Sequence, residues 1–217
     1  MRKIAEFLCR LLASVIVIPV VLLSSSASYA AVWNEIFDAG DLPQIAQETD
    51  GIGELSTING YIAGLDIDMY KIFVAASSGS LWASSSAPAG SNLRPQLFLF
   101  DENGFGITSS DGISTTIISA SGLSGFYYLA ISPFDIDPFG DNLRIFAMHG
   151  GGGPTGPGGD NSVGGWGGTY SAVEDTYSVS LSGATFSTAA VPLPAAIWLF
   201  GSSVLLLLSF RKRTSHR

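Results

Sequence analysis

The stretch QLFLFDENG, Gln96 to Gly104, decides the fold class. In an extended chain successive side chains leave opposite faces, so Leu97 and Leu99 point one way and Phe98 and Phe100 the other. A strand apolar on both faces belongs inside a packed sheet, as a central strand of a sandwich does. DENG, Asp101 to Gly104, follows it with a strong hairpin-turn signal. Working outward, MYKIFVA (69–75) alternates, with Tyr70, Ile72 and Val74 on one face. TTIIS, FYYLAIS and LRIFAM follow as further short strands broken by Gly, Ser, Asn and Asp. YSVSLSG closes the series with Tyr177, Val179 and Leu181 inward and Ser178, Ser180 and Ser182 outward. No stretch of this middle region combines the length and the 3.6-residue period of a solid helix. The expectation is an all-β chain, a two-sheet sandwich of about eight strands.

One segment interrupts the pattern. HGGGGPTGPGGDNSVGGWGGTYSAVEDT, His149 to Thr176, carries eleven glycines. It is no nucleotide loop, because no Gly-Lys-Ser/Thr follows and its surroundings are acidic. An interdomain linker is one reading. A long loop inside the sandwich is the preferred one, because a closing strand follows, and Trp166 is the residue that would pin the loop by burying its ring.

Both ends of the 217-residue chain are apolar runs flanked by basic residues. MRKIAEFLCR leads into Leu11–Leu23, and Ser28 and Ala30 supply small residues three and one positions before a cut that would leave Ala31 first. That is the layout of a cleaved secretory signal over residues 1–30, with a permanent N-terminal membrane helix as the alternative. The single cysteine, Cys9, would leave with it, so the exported chain would have neither disulfide nor thiol chemistry. Between the two ends stand seventeen acidic residues against Lys71, Arg94 and Arg144, a net charge of −14. So acidic a body repels phosphate backbones, which excludes nucleic acid and favours divalent cations as partners.

Catalytic patterns are thin. His149 beside the glycines and His216 in the tail make no zinc pair, and neither G-x-S-x-G nor H-E-x-x-H occurs. A serine nucleophile would have only His149 as its base. The expectation is a protein that is not an enzyme. The acids cluster at Asp66 and Asp68, at Asp101, Glu102 and Asn103, and at Asp135, Asp137, Asp141 and Asn142. Calcium takes six to eight oxygens from carboxylates, amides and carbonyls, which acidic turns supply. Asp135, Asp137 and Asp141, in the densest group, are the candidate calcium ligands. Turn capping by Asp and Asn is the alternative for all three groups.

The last 27 residues, VPLPAAIWLFGSSVLLLLSFRKRTSHR, resemble the PEP-CTERM sorting signal of Gram-negative bacteria. The motif is Val191-Pro192-Leu193-Pro194, with leucine where the family name has glutamate. The apolar run 195–210 follows, and Arg211, Lys212 and Arg213 are the basic stop-transfer residues of the tail 211–217. At 1.5 Å per residue sixteen residues span about 24 Å, short of a bilayer core of about 30 Å. The basic residues would stay cytoplasmic. The resemblance implies recognition and cutting by the membrane enzyme exosortase, with signal peptidase and the secretion machinery acting earlier and the inner membrane a transient partner. A permanent tail anchor is the alternative. The body, residues 31–190, resembles bacterial pre-peptidase C-terminal (PPC) domains through DAGDLPQIAQ, the D-x-D-M-Y of Asp66–Tyr70, QLFLFDENGFGI, FYYLAIS and YSVSLSGA. That likeness implies a jelly-roll-like β-sandwich without catalysis. Together these readings predict an exported protein of the cell envelope or extracellular matrix, structural or adhesive in biofilm or exopolysaccharide. A module binding carbohydrate or ice is the alternative.

Overall fold

The computed structural model describes residues 30–110, 116–147, 152–169 and 173–189. His149, Ser28, the sorting motif and the two apolar end segments lie outside them; Ala30 is an exposed residue just before the first strand. Among the described residues there is no helix. The first eight strands are β1 (Ala31–Asn34), β2 (Gln47–Glu48), β3 (Asp50–Gly51), β4 (Leu55–Gly64), β5 (Asp68–Val74), β6 (Ser80–Ser86), β7 (Pro95–Asp101) and β8 (Gly106–Ser110). The remainder are β9 (Thr116–Ser121), β10 (Gly125–Pro133), β11 (Ile136–Gly140), β12 (Leu143–Arg144), β13 (Gly165–Gly168), β14 (Val173–Ser182), β15 (Ala184–Phe186) and β16 (Thr188–Ala189).

Two sheets carry the fold. One has the order β1-β4-β14-β6-β9; the other runs β15-β5-β10-β7-β8, with β2 added alongside β5. Their facing sides make one apolar core. Ile58, Ile62, Leu81, Tyr177 and Val179 come from the first sheet, and Tyr70, Ile72, Leu97, Leu99 and Leu129 from the second, all buried. Thus the alternation expected of MYKIFVA and YSVSLSG is the alternation between core and outside. The chain is a β-sandwich.

The second face of QLFLF needs a cover that two sheets alone do not provide. Phe98, Phe100, Met69 and Ala130 point away from the main core, yet all are buried. They belong to a separate cluster with Ile136, Ile145, Phe146 and Val163, against which Trp166 packs. These come from the 134–168 excursion, whose small sheet β12-β11-β13 lies over the outside of the second sheet. The described part of the glycine-rich segment, 152–168, is therefore packed on the sandwich as a third layer. Trp166 pins it: its Nε1 donates to the Asp41 carbonyl at 2.6 Å, and its ring lies 5.4 Å from Phe98 and 6.3 Å from Phe100, edge-on to both. Glycine is needed because the layer packs backbone on backbone. A Cβ at Gly156 would meet the Arg144 carbonyl oxygen at 2.2 Å, and one at Gly168 the Asp135 carbonyl oxygen at 1.6 Å.

LRIFAM differs from expectation. Only Leu143–Arg144 is strand; Ile145 keeps one further backbone bond to β11, its N–H donating to the Pro138 carbonyl at 3.1 Å, and it and Phe146 bury their side chains in the second cluster. Burial under the glycine layer, not pairing, accounts for their apolarity. The DENG hairpin is as expected. Gly104 takes φ +85°, its N–H donates to the Asp101 carbonyl at 3.0 Å, and β7 and β8 pair antiparallel.

Candidate functional site

The carboxylates converge at the start of β5. Asp38, Asp66 and Asp68 place an oxygen each within 4.8 Å of one another, the one such trio among the described residues. Three local devices bring them there. The D-x-D of Asp66 and Asp68 straddles the entry to β5, with the Asp66 carboxylate accepting from the N–H of Ile67 at 2.9 Å. Asp38 caps its own turn, accepting from Gly40 N–H at 2.9 Å, after Phe37 has reversed the chain at φ +59°. Then Met69 N–H donates to the Gly40 carbonyl at 2.8 Å and Gln47 N–H to the Ala39 carbonyl at 2.9 Å, which fastens the turn to the strand.

Asp68 is the unusual member. It is fully buried, and neither carboxylate oxygen makes a hydrogen bond of good geometry, although the Tyr177 hydroxyl and the Glu35 carboxyl lie close enough to interact with it. The Tyr177 hydroxyl nearby pairs with that of Tyr70 at 2.7 Å. Glu35 closes the far side, its Oε2 accepting from Tyr61 N–H at 2.7 Å. Gly60 makes room for this arrangement, since a Cβ there would lie 2.2 Å from the Tyr177 hydroxyl and 2.8 Å from Glu35 Oε2.

Burial dominates the electrostatics. It pushes the Asp68 carboxyl up to about 8, with the charges of Glu35 and Asp66 adding to the rise. Burial and the Asp38 charge raise Asp66, and burial raises Glu35 against the pull of the Tyr61 N–H. Both tyrosine hydroxyls rise as well, through burial first and then the neighbouring acids for Tyr70, so they stay protonated. A buried carboxylate without a partner costs several kcal/mol and must either keep its proton or find a cation. The donor set, carboxylates alone, suits a hard divalent cation of the calcium type. Asp38, Asp66 and Asp68 fit such an ion, and Glu35 stands close enough in the network to share its charge.

The other acid groups are placed differently. Asp101 accepts from the N–H groups of Asn103 and Phe105, both at 2.9 Å, and so caps the hairpin. The structure does not gather Asp135, Asp137 and Asp141 into one cluster. Asp137 is buried and ion-paired with Arg144, with Gln96 Nε2 donating at 3.4 Å. Asp135 accepts from the Thr169 hydroxyl at 2.6 Å. Asp141 and Asn142 form the two-residue turn between β11 and β12, both left-handed at φ +50° and +62°. Turn geometry and one ion pair thus occupy the densest acidic run. Sequence reading singled out Asp66 and Asp68 but missed Glu35 and Asp38. Their approach depends on the parallel pairing of β1 with β4, and the E-x-x-D spacing just after β1 is the signal that was available.

Solved structures similar to this chain include the pre-peptidase C-terminal domain of collagenase from Bacillus anthracis. It is 14% identical, over 71% of this chain and 97% of that one, with a TM-score of 0.35. Another is PliG of Aeromonas hydrophila, a periplasmic lysozyme inhibitor of g-type lysozyme, 12% identical over 70% of this chain and 97% of that one, with a TM-score of 0.31. No family model matches the chain, and no curated protein matches it.

The body's three cations are each engaged. Lys71 pairs with Glu48 at 2.9 Å, Arg144 with Asp137, and Arg94 stacks over Phe134 at 4.1 Å from the ring centroid. The Asp38–Asp66–Asp68 cluster therefore has no lysine or arginine partner among the described residues.

Proposed function

We propose that this is an exported surface protein without catalytic activity, a jelly-roll-like sandwich delivered by a cleaved signal and processed by exosortase at its C-terminal sorting signal. It then resides in the envelope or extracellular matrix, where it is structural or adhesive within biofilm or exopolysaccharide. The observation that carries the reading is the tail: Val191-Pro192-Leu193-Pro194, a short apolar run and the Arg211–Arg213 basic cluster, following directly on the sandwich. The site is in keeping with a structural role. Its central acid is sealed from solvent, so a calcium-like ion there would fasten the Glu35–Gly40 segment to β5 instead of acting on a substrate. Asp38, Asp66 and Asp68 would hold the ion, which would supply positive charge to the buried carboxylates.

The test is an intact mass of the protein recovered from the surface or medium of an exosortase-bearing host. The expected species begins at Ala31 and lacks everything beyond the Pro192–Pro194 region. Recovery of the whole tail on the exported form would leave a plain membrane anchor and overturn the sorting reading.

A further inference from the structure

The outer face of the first sheet differs in chemistry from the rest of the body. Its side chains are those that β4, β6 and β14 turn away from the core, and register sets them in rows across the strands. Ser178 stands opposite Asn59 on one side and Ser86 on the other. Ser182 stands opposite Trp82, and Thr176 opposite Tyr61. A groove of about 400 Å³ lies where β6 ends, toward the Tyr61 end of this face, lined by Asn59, Ser86, Thr176 and Ser178 with Pro88 at its rim, and no lining residue is charged. In a body of net charge −14 an uncharged groove is a selective feature, although Glu174, opposite Ala63, shares the face beyond Tyr61. At opposite ends stand the exposed aromatic rings Trp82 (41% exposed) and Tyr61 (45%). Six residues along β14 and two strand spacings across separate them, roughly 20 Å by 10 Å.

We propose that this face binds an extended chain of neutral hexopyranose sugar, with Trp82 and Tyr61 as stacking platforms and the groove between them reading hydroxyl groups. The chemistry matches part by part. A pyranose ring presents an apolar C–H face that packs on an aromatic ring, and an equatorial rim of hydroxyls that exchange hydrogen bonds with serine, threonine and carboxamide side chains. The distance between the rings accommodates several sugar units, so a polymer is bound in preference to a monosaccharide. Anionic sugars are disfavoured, because no cation lines the groove and the surrounding body is strongly acidic. The inference supplies the ligand of the surface role proposed above. It rests on that reading only for where the protein meets its sugar; binding in solution tests the face alone, and the intact mass tests the sorting alone.

The experiment is calorimetric titration of the full-length protein, held in a detergent without sugar headgroups, with cellohexaose, maltohexaose and laminarihexaose. At least one should bind. Trp82→Ala and Tyr61→Ala should each weaken it by about tenfold or more while leaving the thermal midpoint unchanged, since both rings stand at the surface. Ser178→Glu, which places a charge in the groove, gives an independent loss should either aromatic variant fail to fold. Absence of binding to all three sugars overturns the proposal. So does binding that survives all three substitutions, or thermal hysteresis in freezing solutions without sugar binding, which would assign the flat hydroxyl face to ice.

Discussion

Asp68 is the residue through which stability should respond both to pH and to cations. Its folded-state value is about 8, against an unfolded value near 3.8. Between those limits the folded protein keeps a proton that the unfolded chain has released, so ∂ΔG/∂pH is negative. Without divalent cations, the thermal midpoint should therefore fall as pH rises from about 4 to about 8. Millimolar calcium should reverse the loss at the upper end and release protons as it binds. At a hundredfold excess over Kd the gain is about 2.7 kcal/mol. Asp68→Asn should flatten the pH dependence and remove the calcium response, whereas Asp137→Asn should leave that response in place. A melting curve indifferent to chelator and calcium from pH 6 to 8 would mean that Asp68 simply keeps its proton. The raised pKa is invisible in sequence. D-x-D before an alternating strand marks Asp66 and Asp68 as a turn, and nothing local says that Tyr70 and Tyr177 close over one of them.

Among the elements, β7 shows why a residue pattern can be read correctly and explained only in part. Apolarity on both faces of QLFLF was legible, and it does mean burial on both faces. The cover of the second face was not legible, because glycine-rich sequence has no hydrophobic period from which to infer packing. Ile145 and Phe146 were absorbed into an expected strand for the same reason: a short apolar run looks alike whether it pairs or only packs. Truncation separates this arrangement from a two-layer sandwich. Leu99→Ala and Phe98→Ala should both be strongly destabilising, by about 2–5 and 3–5 kcal/mol in urea unfolding. In a sandwich with one solvated face, the Phe98 change would cost little. Trp166→Phe keeps most of the ring and loses only the hydrogen bond to Asp41, so it should cost about 1 kcal/mol.

For the molecule as a whole, the two apolar clusters share strands. β5, β7 and β10 each contribute one face to the main core and the other to the cluster under the glycine layer. Neither cluster can dissolve without removing the support of the other. Calorimetry should accordingly give one transition, with the calorimetric and van't Hoff enthalpies equal. Two resolved transitions would show that the 134–168 layer melts by itself. The all-β class and the membership of the glycine-rich segment could be read from turn signals and the strand after it. The meeting of Glu35 and Asp38 with Asp68 could not, since it depends on β1 running parallel to β4 and on a turn at Phe37 that an aromatic residue seldom makes.

The last described strand, β16, is held by two parallel pairs, Thr188 with Asp50 and Ala189 with Gly51, by the bonds that Ser187 and Thr188 make to Thr49, and by the Thr188 hydroxyl donating to the Asp50 carboxylate at 3.0 Å. Just before it, Phe186 is buried in the main core. In a precursor still tethered through its tail, before the proposed cut, tension would reach β16 first. Those few bonds would part in sequence from Ala189 backward until Phe186 took the load. Under such a load the chain would lengthen by a few residues while the sandwich stayed whole, so that β16 would act as a shock absorber for the body.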